Sequence, residues 1–270
     1  MTETHNPVTA LSSLRRGEGT LFSAWCSLRE PAVAGVLARE AFDAVILDMQ
    51  HGLYDVASAV TAIQFVAAAG KPAVVRIPVG EFATASRLLD AGAAGIIAPM
   101  INTVEDAWRF SAFAKYPPIG ERSWGPHGGL ALTGLQPADY FRQANGFSLA
   151  LAMIETREAL DLVDEILAVP GIDGAFIGPA DLSIGLSHGE TLDPLGPAVD
   201  HALHRIVGHA RTAGKIASVF AHNPERAALF AQMGYSLIAV GTDAMLLRAG
   251  AQAALKTARG APPKPGPAPY

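Results

Sequence analysis

A closed barrel of eight parallel strands, each followed by a helix, is the α/β fold class that this 270-residue sequence predicts. Three observations carry the prediction. Short apolar runs alternate with longer alanine-rich amphipathic runs from one end to the other, and the alternation can be counted eight times. No break in composition divides the chain. Half of the residues are hydrophobic and 17% are charged, below the roughly 25% usual for soluble domains, which implies extensive burial. An open doubly wound sheet would want a glycine-rich fingerprint after its first strand, and TLFSAWCSLREP is not one.

Strands are predicted over 20–26, 43–48, 72–77, 95–99, 148–154, 174–178, 215–220 and 236–241. Each is a near-continuous apolar run, as expected of parallel strands buried on both faces. Helices are predicted over 30–41, 55–69, 82–91, 103–115, 156–168, 197–213, 223–233 and 242–257. Thr103-Val104-Glu105-Asp106 reads as a capping-box start, and Asn223-Pro224 and Thr242-Asp243 open two further helices. Gly70, Gly92, Gly214 and Gly234 stand where four helices should stop. The Gly- and Pro-rich segment 117–147 is the longest interruption and reads as a long, partly ordered excursion, with Trp124, Tyr140 and Phe141 favouring order. The domain expectation is one barrel over 1–258 and a Pro-rich flexible tail over 259–270.

Several function classes are disfavoured by composition. The net charge is −5, and no basic run or aromatic–basic interleaving is present, so nucleic acid is not an expected partner. The lone Cys26 excludes an intramolecular disulfide and a cysteine-cage zinc site and fits a reducing compartment. No signal-like N-terminus and no run of 18 apolar residues is found, so no membrane is expected and the cytoplasm is the expected location.

In such a barrel the strand C-termini converge on the site, so polar residues at those ends carry the chemistry. They are Asp48, Gln50 and His51 after the second strand, Arg76 on the third, Glu155 after the fifth and Asp181 after the sixth. Each alone has an ordinary explanation as a cap, a satisfied polar group or a rim ion pair. The set is harder to dismiss. Glu155 and Asp181 follow adjacent strands, and two carboxylates plus water suit a divalent ion with positions left open for a 2-oxo acid. Spacing alone leaves a second reading open, in which the two are independent caps. In Gly178-Pro179-Ala180-Asp181-Leu182-Ser183 the proline lacks an N–H, so the amides of Ala180, Asp181 and Leu182 are left to bind a carboxylate at a helix start. Arg76 would place a fixed positive charge where an enolate oxygen develops. Asp48 and His51 share one loop, in which the carboxylate would orient the imidazole as a general acid/base. Among the remaining histidines, His201, His204 and His209 read as a solvated helix face, and His127, His188 and His222 as loop residues that could line a pocket.

Six ordered blocks carry a resemblance over roughly residues 15–255: FDAVILDMQHG (42–52), VVRIP (74–78), LLDAGAAGIIAPMINTVEDA (88–107), YPPIGERSWGP (116–126), IETREAL (154–160) and DGAFIGPADLSIGLSHG (173–189). The chain resembles the metal-dependent (class II) pyruvate aldolases of the 2-keto-3-deoxyglucarate and 4-hydroxy-2-oxoheptanedioate type, the HpcH/HpaI aldolases. These are TIM barrels of the phosphoenolpyruvate/pyruvate superfamily. The resemblance implies a lyase that reversibly cleaves 4-hydroxy-2-oxo acids to pyruvate, or hydroxypyruvate, and an aldehyde through an enolate held on a divalent metal. Mg²⁺ or Mn²⁺ is implied first, with Co²⁺, Ni²⁺ or Zn²⁺ as alternatives. Glu155 and Asp181 would bind that metal, and the Gly178-Pro179 turn with the amides of Ala180 and Asp181 would receive the carboxylate. Arg76 would contact the oxo oxygen, and His51, supported by Asp48, would move the proton. Asp90 matches an aspartate near the histidine, and Trp25 a pocket-wall tryptophan. The resemblance further implies a homo-oligomer, a hexamer exchanging a terminal helix, for which 242–257 is suited. Gln50 and Met153 stand where many members have Glu and Gln, which makes this site less negative and less polar. Within the same chemistry, oxaloacetate decarboxylation or another lyase that traps the enolate is the alternative, and a non-catalytic 2-oxo-acid-binding barrel is the other.

Overall fold

The computed structural model describes residues 6–17 and 19–260. Its strands are β1 (Leu21–Cys26), β2 (Ala44–Asp48), β3 (Ala73–Arg76), β4 (Gly95–Ala98), β5 (Leu149–Met153), β6 (Gly174–Ile177), β7 (Ile216–Ala221) and β8 (Leu237–Thr242). All pair in parallel in chain order, and β8 returns to β1, which closes the barrel. Helices α1 (Pro31–Arg39), α2 (Val56–Ala68), α3 (Phe82–Asp90) and α4 (Val104–Ala114) follow the first four strands. Next come α5 (His127–Thr133), α6 (Pro137–Phe147), α7 (Arg157–Asp161), α8 (Val163–Ala168), α9 (Pro179–Leu186), α10 (Pro197–Thr212), α11 (Pro224–Met233) and α12 (Asp243–Ala258).

Alternation along each strand divides the buried residues in two. Trp25, Ile46, Val74, Ile97, Leu151, Phe176 and Leu237 fill the barrel, and Leu11 and Leu14 of the short 3₁₀ turn Ala10–Arg16 close its lower end. Val45, Leu47, Val75, Ile96 and Ile177 point the other way, into the layer between strands and helices. The expected helix starts are present: Thr103 and Asp106 form a reciprocal capping box, and Asn223 caps α11.

The structure departs from the sequence reading in three places. The excursion 117–147 contains two helices, because Pro137 fits the first turn of α6 and Tyr140 and Phe147 bury a face of it against Tyr116 and Val8. The predicted helix 156–168 is two, α7 and α8, interrupted at Leu162. An extra helix, α9, starts at the Gly178-Pro179 turn. From Met245 onward α12 is exposed, although Met245, Leu246, Leu247 and Leu255 are apolar and 37% to 67% accessible. Its first residue, Asp243, is buried and accepts from the Ser27 and Leu28 amides at 3.0 and 2.9 Å, so the helix leaves the barrel from a fixed point. From residue 261 on, the expected tail 259–270 lies outside the described residues. No described helix is long and apolar enough to cross a membrane.

One buried charge cluster ties the lower rim together. Asp173 accepts from Lys115 Nζ at 2.7 Å, from Arg15 Nη2 at 2.8 Å and from the Ala150 amide at 2.7 Å. Lys115 is fully enclosed, and burial pushes its ammonium down to about 8 against the pull of Asp173. Removing the carboxylate leaves that cation without a counter-charge, held only by the Asn145 and Ser148 carbonyls, which costs about 3–5 kcal/mol. Asp173→Asn should therefore lower urea-unfolding stability by about that amount; a change within about 0.5 kcal/mol, the ordinary range for surface substitutions, would show that the cluster is not structural.

Candidate active site

The upper strand ends surround a cavity of about 240 Å³. β1 and β2 supply Trp25, Ser27, Asp48 and His51; β3 and β5 supply Arg76 and Met153. Phe176 and the Gly178–Asp181 turn come from β6, Phe220 and His222 from β7, and Thr242 from β8. A larger cavity of about 480 Å³ opens at the lower end, among residues such as Leu14, Thr20 and Lys215, and none of the sequence-predicted site residues lines it.

Arg76 is the strongest local charge, and it is already paired. Its Nε and Nη2 donate to the two Asp48 oxygens at 2.8 and 2.7 Å, both side chains being buried. The guanidinium lies 4.8 Å from the Trp25 ring, and Trp25 Nε1 donates to Asp48 at 3.4 Å. A bidentate pair of this kind offsets the desolvation of both ions and leaves Nη1 uncommitted. The arrangement corrects the expectation that Asp48 orients the His51 imidazole. With both oxygens committed to a buried arginine, Asp48 instead accepts from the backbone amides of Gln50 and His51 at 3.0 and 3.3 Å. Asp48 therefore shapes the turn that carries His51, whose side chain is exposed. Gly52 makes that turn possible: a Cβ there would lie 2.1 Å from the Asp48 carbonyl oxygen.

Glu155 and Asp181 do meet. At the ends of β5 and β6 the Asp181 carboxylate is close enough to act on the charge of Glu155. Glu155 is 1% exposed; its Oε2 accepts from the Met100 amide at 3.0 Å, and its Oε1 is buried with no protein partner. The capping alternative fails for Glu155, since Thr156 is the residue that caps α7. Gly178 keeps the space open, because a Cβ there would stand 2.7 Å from Glu155 Oε1. Burial, and then the neighbouring Asp181 charge, push the Glu155 carboxyl up to about 7 against the opposing Met100 amide and Arg76. Two close carboxyls, one holding an unpartnered oxygen, suit a divalent cation completed by water and ligand oxygens. No group of three or more histidine, cysteine, aspartate or glutamate side chains that could hold a metal occurs among the described residues.

The first turn of α9 faces the same space. The Leu182 amide, expected to be free, bonds the Gly178 carbonyl at 3.0 Å as part of the helix. The amides of Ala180 and Asp181 thus remain without an intrahelical partner, as the first donors of a helix do. Three predicted residues lie outside the cavity lining. Glu155 is enclosed beside Gly178, which does line it. Gln50 sits beside the cavity with a buried, unpartnered Oε1. Asp90 ends α3 at the opposite rim, 2.6 Å from Arg122, because a helix that follows a parallel strand must return to the bottom of the barrel. The sequence reading gave His222 only as a loop residue that could line a pocket and did not single out Phe220, Thr242 or Ser27. Their only signal was position: each ends or follows a strand.

A family model described as HpcH/HpaI aldolase/citrate lyase matches residues 21–249. The chain is 37% identical over 235 residues to a hydroxypyruvate/pyruvate aldolase of Rhizorhabdus wittichii, a match covering 87% of this chain and 92% of that protein. It is 35% identical over 229 residues to a 4-hydroxy-2-oxo-heptane-1,7-dioate aldolase of Klebsiella pneumoniae, covering 85% and 86%. A crystal structure of an HpcH/HpaI aldolase/citrate lyase family protein from Burkholderia cenocepacia superposes with a TM-score of 0.83 at 33% identity, covering 93% of this chain and all of the other.

The raised Glu155 carboxyl makes a signed prediction. A cation-free folded chain holds this proton more tightly than the unfolded chain. The stabilisation is complete below the ordinary value of 4.5 and is lost as pH rises through about 7. With a chelator present, thermal melts should show stability falling over that window, by on the order of 3 kcal/mol for this group. Glu155→Gln should flatten the fall, and an unchanged profile in that variant would contradict the assignment.

Proposed function

This chain belongs to the HpcH/HpaI aldolase/citrate lyase family, and on that premise we propose that it is a divalent-metal-dependent aldolase. As a carbon–carbon lyase it reversibly cleaves 4-hydroxy-2-oxo acids to pyruvate, or hydroxypyruvate, and an aldehyde. The observation that carries this reading is the meeting of Glu155 and Asp181, with a buried orphan oxygen, beside Arg76 and the open amides of α9.

Glu155 and Asp181 are the residues that would hold the cation, Mg²⁺ or Mn²⁺ by preference and Co²⁺, Ni²⁺ or Zn²⁺ as alternatives. When bound, it polarises the 2-oxo group and acidifies the neighbouring carbon. The Ala180 and Asp181 amides receive the substrate carboxylate, with Gly178 and Pro179 shaping their approach. Arg76, fixed by Asp48 and stacked on Trp25, offers Nη1 to the oxo oxygen as negative charge develops there. Trp25, Phe176 and Met153 give this region apolar walls, which strengthens those interactions. His51, exposed at the rim, exchanges the proton of the substrate hydroxyl or aldehyde oxygen. Gln50 flanks this group without adding charge.

We also infer a homo-oligomer in the cytoplasm, a hexamer by the family resemblance. The apolar, exposed length of α12 supports it, since a lone helix gains little by holding Met245, Leu246, Leu247 and Leu255 in water. Asp90, at the far rim from its own mouth, acts in this reading only from a neighbouring subunit.

With Mn²⁺ present, the protein should exchange solvent deuterium into the methyl group of pyruvate. Chelation, Glu155→Ala or Asp181→Ala should each abolish the exchange; full exchange after chelation would overturn the reading. His51→Ala should slow aldol cleavage by about 10²–10⁴ while pyruvate still binds, and loss of pyruvate binding as well would assign His51 a different role. Leu246→Glu with Leu247→Glu should reduce the sedimenting species; an unchanged assembly would remove α12 from the interface.

A further inference from the structure

The 2-oxo acid, in the reading above, occupies the side of the mouth formed by β3, β5, β6 and α9. The acceptor aldehyde must then lie over the remaining arc, from the ends of β7 and β8 across β1 to the β2 turn that carries His51. Phe220 packs edge-on against Trp25, with centroids 5.3 Å apart, and forms the floor of that arc. Besides His51, three polar side chains edge it: His222, Thr242 and Ser27. His222 is held edge-on against Phe220 at 5.3 Å and 88°. Neither its ring nitrogens nor Ser27 Oγ has a hydrogen-bond partner among the described residues, while the Ser27 amide is tied to Asp243. Thr242 Oγ1 accepts from the Met245 amide at 3.2 Å and keeps its own hydrogen to donate. The arc is thus built to exchange hydrogen bonds with a ligand.

It is also built without positive charge. Among the described residues Arg76 is the only arginine or lysine lining the mouth, and Asp48 already takes two of its nitrogens. Arg226, the nearest cation to His222 along the chain, is committed to Asp200 and stacked 4.9 Å over Phe230. Burial, and then Arg226, lower the His222 imidazole below its ordinary value, so it stays neutral. A carboxylate on the acceptor would meet no counter-charge from this chain's own described residues on this arc, whereas a hydroxyl would meet matched donors and acceptors. The cavity of about 240 Å³ has to hold the 2-oxo acid and the acceptor together, and it lies below the roughly 300 Å³ at which pockets for drug-sized ligands begin, which favours a short acceptor.

We propose that the acceptor is a short, uncharged hydroxyaldehyde, and that His222, with Ser27 and Thr242, selects it by hydrogen-bonding the hydroxyl beside the aldehyde carbon. The inference rests on the aldolase reading of the same mouth and goes further by choosing the acceptor class. His222 acts as a neutral binding group, so a side chain that can hydrogen-bond without titrating should replace it.

The test is kcat/KM for aldol addition of pyruvate to glycolaldehyde, glyceraldehyde, propanal and succinic semialdehyde, using Mn²⁺-loaded protein. The hydroxyaldehydes should exceed propanal by about tenfold, the worth of one well-made neutral hydrogen bond, and should exceed the semialdehyde as well. His222→Leu should reduce the hydroxyaldehyde-to-propanal ratio about tenfold, mainly through KM, and His222→Gln should retain most of it. Preference for succinic semialdehyde, or a ratio that His222→Leu leaves unmoved, would overturn the inference. Deuterium exchange into pyruvate by the wild-type protein needs no aldehyde and separates the two levels. Exchange without hydroxyaldehyde preference sinks this inference alone; absence of exchange sinks the aldolase reading and this inference with it.

Discussion

Two carboxylates brought together at the buried end of a barrel repel each other and resist ionisation unless a positive charge or a proton lies between them. That constraint organises the upper half of this molecule. Glu155 is enclosed, faces Asp181 and keeps one oxygen without a protein partner. A fold selected for stability alone would fill such a place with an apolar side chain, since buried unpaired polar atoms are costly. The neighbouring sequence works to keep it open. Gly178 has no Cβ to block the free oxygen, Met100 donates its amide to the other oxygen, and the first turn of α9 offers amides beside it.

The barrel separates stability from chemistry along its axis. The lower rim carries the closed Lys115–Asp173–Arg15 cluster and the leucines that plug the interior. At the upper rim the ion pair Asp48–Arg76 is closed, the pair Glu155–Asp181 is open, and a neutral polar arc completes the circle. These three differ in charge by design of position: a satisfied arginine, an unsatisfied anionic pair and uncharged hydrogen-bonding groups. Each suits a different part of a 2-oxo acid and its aldehyde partner.

Much of this was legible in the sequence. Near-continuous apolar strands alternating with helical periodicity specify the barrel, and polar residues at strand ends point to its mouth. Glu155, Asp181, Arg76 and the Gly178-Pro179 turn were all identified that way. What periodicity cannot supply is the partner of a side chain. Asp48 stands three residues from His51 but is claimed by Arg76 from the adjacent strand, because a buried guanidinium needs a bidentate counter-ion more than an exposed imidazole does. Asp90 lies at the wrong end of the chain's own barrel for the same kind of reason: helix direction, not sequence distance, decides which rim a residue reaches. The two helices hidden in 117–147 were obscured by glycine and proline content, although the buried aromatics that hold them were visible.

Diffraction from crystals grown with Mn²⁺ and oxalate, a stable mimic of the enolic 2-oxo acid, tests the central claim most directly. The account predicts one strong anomalous peak bridging the carboxylates of Glu155 and Asp181, with the oxalate reaching toward Arg76 and the α9 amides. A peak elsewhere, or none with the two side chains turned apart, would contradict it.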